Sequence, residues 1–131
     1  SFASEGVREY ESRLRHYVPL SIEYLKVRNG SDTLLGRSEG SYRVALDESG
    51  AQMSTREISR TVTTLESRGE IKSIAFLIGG ADGHSIALRE QCDAIWSLSR
   101  MTMQHELALV VLLEQLYRVY TLKRGEPYHR E

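Results

Sequence analysis

After its last predicted helix the chain carries Arg124, Tyr128, His129 and Arg130 within a few residues. Two guanidiniums, a phenol and an imidazole can supply phosphate contacts, stacking on a base and a proton acceptor, if the segment folds over a site. On a free polar tail the same groups would simply be solvated. A second candidate is Gly79-Gly80, at the end of the apolar run Ile74 to Ile78. Glycine lets backbone pass close to a ligand and adopt positive φ, so a side chain at Gly79 would occupy the ligand's space. A plain tight turn uses the same residues. The stretch is neither G-x-G-x-x-G nor a Walker A loop, which removes the usual dinucleotide and triphosphate arguments.

The histidines, His16, His84, His105 and His129, show neither H-E-x-x-H nor Cys/His spacing, so no metal site is expected. His105 falls in the first turn of the last helix, either as an ordinary polar residue there or facing a ligand. Cys92 has no partner cysteine for a disulfide or a thiolate zinc site, and reads as a small buried hydrophobe. No G-x-S-x-G elbow supports a serine hydrolase.

These groups need elements to position them. Val7, Tyr10, Leu14 and Tyr17 share one helical face, and Pro19 ends that helix. Ser21 to Val27 alternates like a strand, Asn29 to Ser31 is a turn signal, and a weak helical piece surrounds Leu34-Leu35. Tyr42 to Leu46 predicts a strand closed by Asp47-Glu48-Ser49-Gly50. Ser54 and Glu57 form a capping box for a helix buried through Ile58, Val62 and Leu65, with Gly69 at its C-cap. Ile74 to Ile78 is a continuous apolar run, as in a strand covered on both faces. A short helix over Ser85 to Gln91 and a strand over Ala94 to Leu98 follow. The last helix, capped by Thr102, is apolar nearly all round from Leu107 to Leu113, so it should be sandwiched. Too apolar for one exposed face, it also predicts a homodimer. It closes with Lys123 and Arg124, then Gly125.

A chain of 131 residues fits one domain, taken as residues 1–131. Lys+Arg 17 against Asp+Glu 18 gives a net charge of -1, which lacks the basic excess of an obvious nucleic-acid binder but leaves room for a local basic patch. No apolar run reaches membrane-spanning length, and the reading is of a soluble, cytoplasmic protein. Alternating helices and strands predict an α/β domain with a largely parallel sheet. Ligands of such sheets bind beyond the carboxyl ends of the strands, here the loops after Leu46, Ile78 and Leu98.

Four ordered stretches carry a resemblance: Ile78-Gly79-Gly80; Leu98-Ser99-Arg100-Met101-Thr102 with His105 close behind; Leu113-Glu114-Gln115-Leu116-Tyr117-Arg118; and Arg124-Gly125-Glu126-Pro127-Tyr128-His129. Together they resemble the bacterial ribosomal RNA large-subunit methyltransferase H family, SPOUT-class enzymes that methylate N3 of a pseudouridine. Ala45-Leu46-Asp47-Glu48-x-Gly50 and Glu9-Tyr10-x-x-Arg13-Leu14-x-x-Tyr17 match as well, so the likeness runs from the first helix to the C-terminus. It implies a deep trefoil knot, a homodimer, and S-adenosylmethionine held in the knot. By motif matching the donor contacts fall on Leu46, on Gly79, and on Leu98, Ser99, Arg100, Met101, Thr102 and Met103. The implied substrate is large-subunit ribosomal RNA within the ribosome, with no membrane or metal partner.

The chain departs from the family's pattern in three places. No counterpart of the usual hydrophobic strand precedes the first helix, and the stretch from Val27 to Tyr42 is shorter than usual. Met103-Gln104 replaces an aromatic-proline pair, and Arg100 replaces a lysine. Methyl transfer to N3 requires loss of its proton, and His129 and Arg124 are assigned to proton removal and anion stabilisation, with Tyr128 positioning or stacking the base. The tail of one subunit would approach its partner's donor pocket. The alternatives are an RNA-binding protein of the same fold, a methyltransferase of another RNA, and a small nucleotide-binding α/β module.

Overall fold

The computed structural model describes residues 1–26, 30–80 and 83–128. Its sheet has three parallel strands in the order β2-β1-β3. β1 spans Tyr42–Gln52, β2 Ile74–Ile78 and β3 Ala94–Ser97. Val44, Ala45 and Leu46 are buried because β1 is the central strand and is covered on both faces. β2 alternates between two clusters, with Phe76 and Ile78 on one face and Ala75 and Leu77 on the other. As an edge strand it is otherwise half-buried, and Leu77 is its one buried residue.

One face carries α1 (Phe2–Leu14), α3 (Thr55–Ser67) and α5 (His105–Lys123). Val7, Leu14, Ile58, Val62, Leu113 and Val119 meet Val44, Leu46 and Trp96 there. At Gly6 a Cβ would lie 3.2 Å from Val110, so the absent side chain lets α1 approach α5. The other face carries α2 (Gly30–Arg37) and α4 (Ile86–Glu90), with Leu34, Leu35 and Leu88 over Ala45, Leu77 and Ile95. Full burial of a leucine such as Leu88 contributes on the order of 1.5–3 kcal/mol. The result is a three-layer α/β/α arrangement. No described helix is long and apolar enough to cross a membrane.

Several local expectations change. The part of Ser21 to Val27 that is described, residues 21–26, is not a strand. Its alternation places Ile22 against the core and leaves Tyr24 exposed, but neither sheet edge pairs with it. β1 does not end at Leu46. Asp47 to Gly50 bulge outward, after which Ala51 and Gln52 pair with Trp96 and Ser97 of β3. A Cβ on Gly50 would stand 2.7 Å from the Ile95 carbonyl, so glycine is what lets the returning chain lie against β3. The capping box at Ser54 and Glu57 forms, but α3 ends with Arg68 already extended, so Gly69 is no left-handed cap. Gly125 does adopt positive φ, +69°, just beyond α5.

α5 is capped by Gln104, whose side chain accepts from the Leu107 amide, and not by Thr102. The hydroxyl of Thr102 donates instead to Glu48 at 3.1 Å. Nor is the apolar run of α5 fully enclosed. Leu112 and Leu113 are buried, whereas Leu109, Val110 and Val111 are half-buried and Leu107 is 40% exposed.

Candidate functional site

A cavity of about 450 Å³ opens at the bulge of β1 and beyond the carboxyl ends of β2 and β3, within the roughly 300–1,000 Å³ usual for small-molecule sites. The chain reaches it three times. β1 delivers Leu46, Asp47 and Glu48; β2 delivers Ile78, Gly79 and Gly80, with Gly83 from the same loop; and the link from β3 to α5 delivers Leu98, Ser99, Met101, Thr102 and Met103. Gln104, His105 and Ala108 complete the wall from the start of α5. Parallel strands put these loops together because each crossover helix returns the chain to the opposite end of the sheet.

Of the positions matched to donor contacts, Leu46, Gly79, Leu98, Ser99, Met101, Thr102 and Met103 line this cavity. Arg100 is exposed and is not among the lining residues. The Met101 amide donates to the Ser99 hydroxyl at 2.9 Å, a tight turn that places residue 100 at its apex.

Gly79 has a different reason to be glycine from the one its position suggested. A Cβ there would lie 3.0 Å from the Gly83 carbonyl carbon and 3.2 Å from His84 Cε1. The residue is small because its own loop folds back on it. His84 is buried and its Nε2 donates to the Leu77 carbonyl at 2.8 Å, fixing that return to the end of β2. Ala81 and Asp82 lie outside the described residues.

Two carboxylates face the cavity, and among the described residues no lysine or arginine lines it. Asp47 accepts from the Ser49 hydroxyl at 2.6 Å and from the Ser49 amide at 2.9 Å. These bonds hold its carboxyl below the usual aspartate range. Glu48 is bridged by Thr102 across the mouth. The lining is apolar along Ile78, Leu98 and Ala108, and acidic at Asp47 and Glu48. That donor set fits a ligand with a flat apolar part and a positive charge, as a sulfonium nucleoside has. No group of three His, Cys, Asp or Glu side chains among the described residues could hold a metal ion.

The tail groups are placed elsewhere. Arg124 follows α5, about 28 Å along the helix from His105 at 1.5 Å per residue. It is exposed, with its guanidinium 4.6 Å from the centre of the Tyr17 ring. Tyr128 is half-buried in a socket on α1 and α5. Its ring meets Tyr117 edge-on at 4.6 Å, and its hydroxyl donates to Glu114 at 3.1 Å and lies 3.5 Å from the Tyr10 hydroxyl. Arg118 stacks over the ring at 5.1 Å while bonding Glu114 at 2.6 Å. Burial, then the bonds to Tyr10 and Glu114, push the phenol above its ordinary value, so Tyr128 stays a hydrogen-bond donor near neutral pH. His129 lies outside the described residues. The structure therefore brings the strand-end residues together, leaves Arg124 at the far end of α5, and folds Tyr128 back onto the middle of that helix in the same protomer. The socket residues Glu114, Tyr117 and Arg118 were visible in the sequence only as one of the ordered stretches, because their common partner is remote in the chain.

A family model described as Predicted SPOUT methyltransferase matches residues 1–129. This chain belongs to the SPOUT methyltransferase family. Among curated relatives of this SPOUT methyltransferase is a Thermus thermophilus protein named Ribosomal RNA large subunit methyltransferase H. It is 50% identical over 130 residues, covering 99% of this chain and 90% of the relative. Proteins with the same name from Deinococcus radiodurans and Desulfotalea psychrophila are 39% identical over 133 residues and 37% identical over 141 residues. Each covers 99% of this chain, and the chain covers 90% and 92% of their lengths. SPOUT methyltransferases generally use S-adenosylmethionine.

Proposed function

We propose that this SPOUT methyltransferase methylates N3 of a pseudouridine in large-subunit ribosomal RNA, using S-adenosylmethionine, as a cytoplasmic homodimer acting on the assembled ribosome. The observation that carries the reading is the cavity at the β1 bulge and the ends of β2 and β3, lined by seven of the eight positions that the resemblance matches to donor contacts. The names of relatives at up to 50% identity supply the RNA class.

S-adenosylmethionine supplies an electrophilic methyl group on a cationic sulfur. Leu46, Ile78 and Leu98 offer apolar surface to its adenine, and backbone from Ser99 to Met103 offers donors and acceptors to its polar edges. Asp47 and Glu48 favour its positive charge. The nucleophile, N3 of the pseudouridine, must lose a proton as it attacks. His129 takes that proton, Arg124 stabilises the anion that develops, and Tyr128 anchors the segment that carries His129.

Within one protomer Arg124 is a helix length from the cavity, and Tyr128 sits on the middle of α5, whose Glu114 is about 14 Å along the axis from His105, so the tail's groups are assigned to the partner's cavity. The incompletely covered apolar face of α5 supports such a pairing, with Leu107, Val110 and Val111 half-buried or exposed in the single chain. The trefoil knot belongs to the same proposal, on the ground of membership in the SPOUT family. Residues 1–131 act together as one domain.

Transfer of a labelled methyl group to ribosomes and to protein-free ribosomal RNA tests the proposal. Label on a large-subunit pseudouridine, read by mass spectrometry of the digested RNA, is the expected result. Donor binding without transfer to any RNA would leave an RNA-binding member of the fold, and transfer to a different RNA would replace the substrate.

A further inference from the structure

We propose that a basic groove between α3 and the last turn of α5 seats the phosphodiester backbone of the RNA substrate. The groove, about 370 Å³, is lined by Arg56, Ser59, Arg60, Thr63, Leu122 and Lys123. Its pattern is built into α3. Ile58, Val62 and Leu65 are the buried stripe of that helix, so the positions between them flank the core and face outward. Arg56 and Arg60 are four residues apart, as are Ser59 and Thr63, which gives two parallel rows, one of guanidiniums and one of hydroxyls. Successive guanidiniums stand about 6 Å apart along the axis, the scale on which an RNA strand repeats its phosphates.

No carboxylate lines the groove among the described residues. Two neighbouring acids are already engaged, one of them with the groove's own Lys123. Glu57 completes the capping box, accepting from the Ser54 amide at 2.8 Å. Glu66 pairs with Lys123 and accepts from the Tyr120 hydroxyl at 2.6 Å. Arg60 forms no salt bridge among the described residues and remains available to an incoming anion. Three cations and two hydroxyls thus line one open groove; Lys123 is balanced by Glu66 and Arg56 has an interaction of its own, so Arg60 is the cation that the net charge of -1 conceals most fully. The donor cavity shows the opposite sorting, with two carboxylates and no lysine or arginine among its described lining residues. Guanidinium, ammonium and hydroxyl groups together are the set that proteins use on phosphate oxygens, where they fix register without reading sequence.

This inference rests on the proposed RNA substrate, and its test separates the two. The full-length double variant Arg56→Gln/Arg60→Gln, checked for unchanged melting, is compared with wild type for binding to protein-free ribosomal RNA and to ribosomes over a range of salt concentrations. The plot of log affinity against log salt should lose about 1.5 of its slope for two lost phosphate contacts, and KM for ribosomes should rise about tenfold. The dissociation constant for S-adenosylmethionine should not move. Equal slopes and KM for the two proteins would overturn the groove. So would weakened binding to ribosomes with undiminished binding to protein-free RNA, since the groove's partner would then be an acidic ribosomal protein. If wild type binds RNA through the groove yet methylates no large-subunit RNA, the groove stands and the proposed reaction falls.

Discussion

At its first turn α5 opens onto a cavity with Asp47 and Glu48 in its wall, whereas at its last turn it carries Lys123, which shares a groove with the two arginines of α3. A helix alone would attract anions at its N-terminus and cations at its C-terminus. The C-terminal end follows that rule. At the N-terminal end the carboxylates on the β1 bulge reverse the field, so a cationic ligand is favoured where the dipole alone would repel it. In the proposed scheme one helix separates two tasks by its own length, a positively charged small molecule at one end and a polyanion at the other, with the tail anchored between them on Glu114, Tyr117 and Arg118.

The sharpest way to break this division is to delete Tyr128 to Glu131. Methylation should fall by at least about 100-fold, the scale of a lost acid/base group, while donor affinity measured by calorimetry stays unchanged. Normal methylation by the truncated protein would return the chemistry to the cavity end, where His105 stands in the wall.

Gly79→Val attacks the other end. The new side chain meets the Gly83 backbone before it meets any ligand, so the loop must shift. Overpacking of this kind costs roughly 1–3 kcal/mol, and donor affinity should fall about tenfold or more with it. Urea unfolding and calorimetry together check this, and lost affinity without lost stability would mean that the side chain blocks the ligand directly.

A smaller effect is expected from Tyr128→Phe, which keeps the edge-on contact with Tyr117 and removes the bond to Glu114. A hydrogen bond of this sort is worth about 0.5–1.5 kcal/mol, so the tail should loosen and methylation drop severalfold at unchanged donor affinity. Tyr128→Ala should do worse, and equal activities of the two variants would show that the hydroxyl alone holds the tail.

The smallest effect is a pH dependence. Asp47 is held below its ordinary value mainly by the Ser49 hydroxyl, then by the Ser49 amide. Its stabilising contribution is therefore complete above the unfolded aspartate value of about 3.9 and is lost as pH falls through the lower folded value. The difference in melting temperature between wild type and Asp47→Asn should be constant at neutral pH and shrink only below pH of about 4. A difference that instead grew on acidification would contradict the assigned hydrogen bonds.

Much of the molecule is legible from local pattern. The capping box of α3, the strand cores of β1, β2 and β3, the glycine after α5 and the three loops at the strand ends follow from periodicity and turn chemistry. Where local pattern misled, a remote partner decided. Ile22 and Tyr24 alternate like a strand, yet no sheet edge pairs with them. Asp47 to Gly50 read as the end of a strand, yet β3 recaptures the chain at Ala51. Thr102 could have capped α5, but Glu48 engages its hydroxyl, and Gln104 caps instead.

The candidate site divides in the same way. The amino-acid sequence by itself determined which residues stand at the strand ends, because a parallel α/β pattern makes those ends converge wherever the connections run. It also determined that Tyr128 and its neighbours are polar and aromatic, since composition is a local property. Only the tertiary structure decided that Gly79 makes room for Gly83 and His84, that Glu114, Tyr117 and Arg118 form a socket for Tyr128, and that the arginines of α3 share a groove with Lys123. Each of these joins residues on different elements or across a folded loop. The energy of such a contact depends on distance through space, which local sequence spacing does not encode.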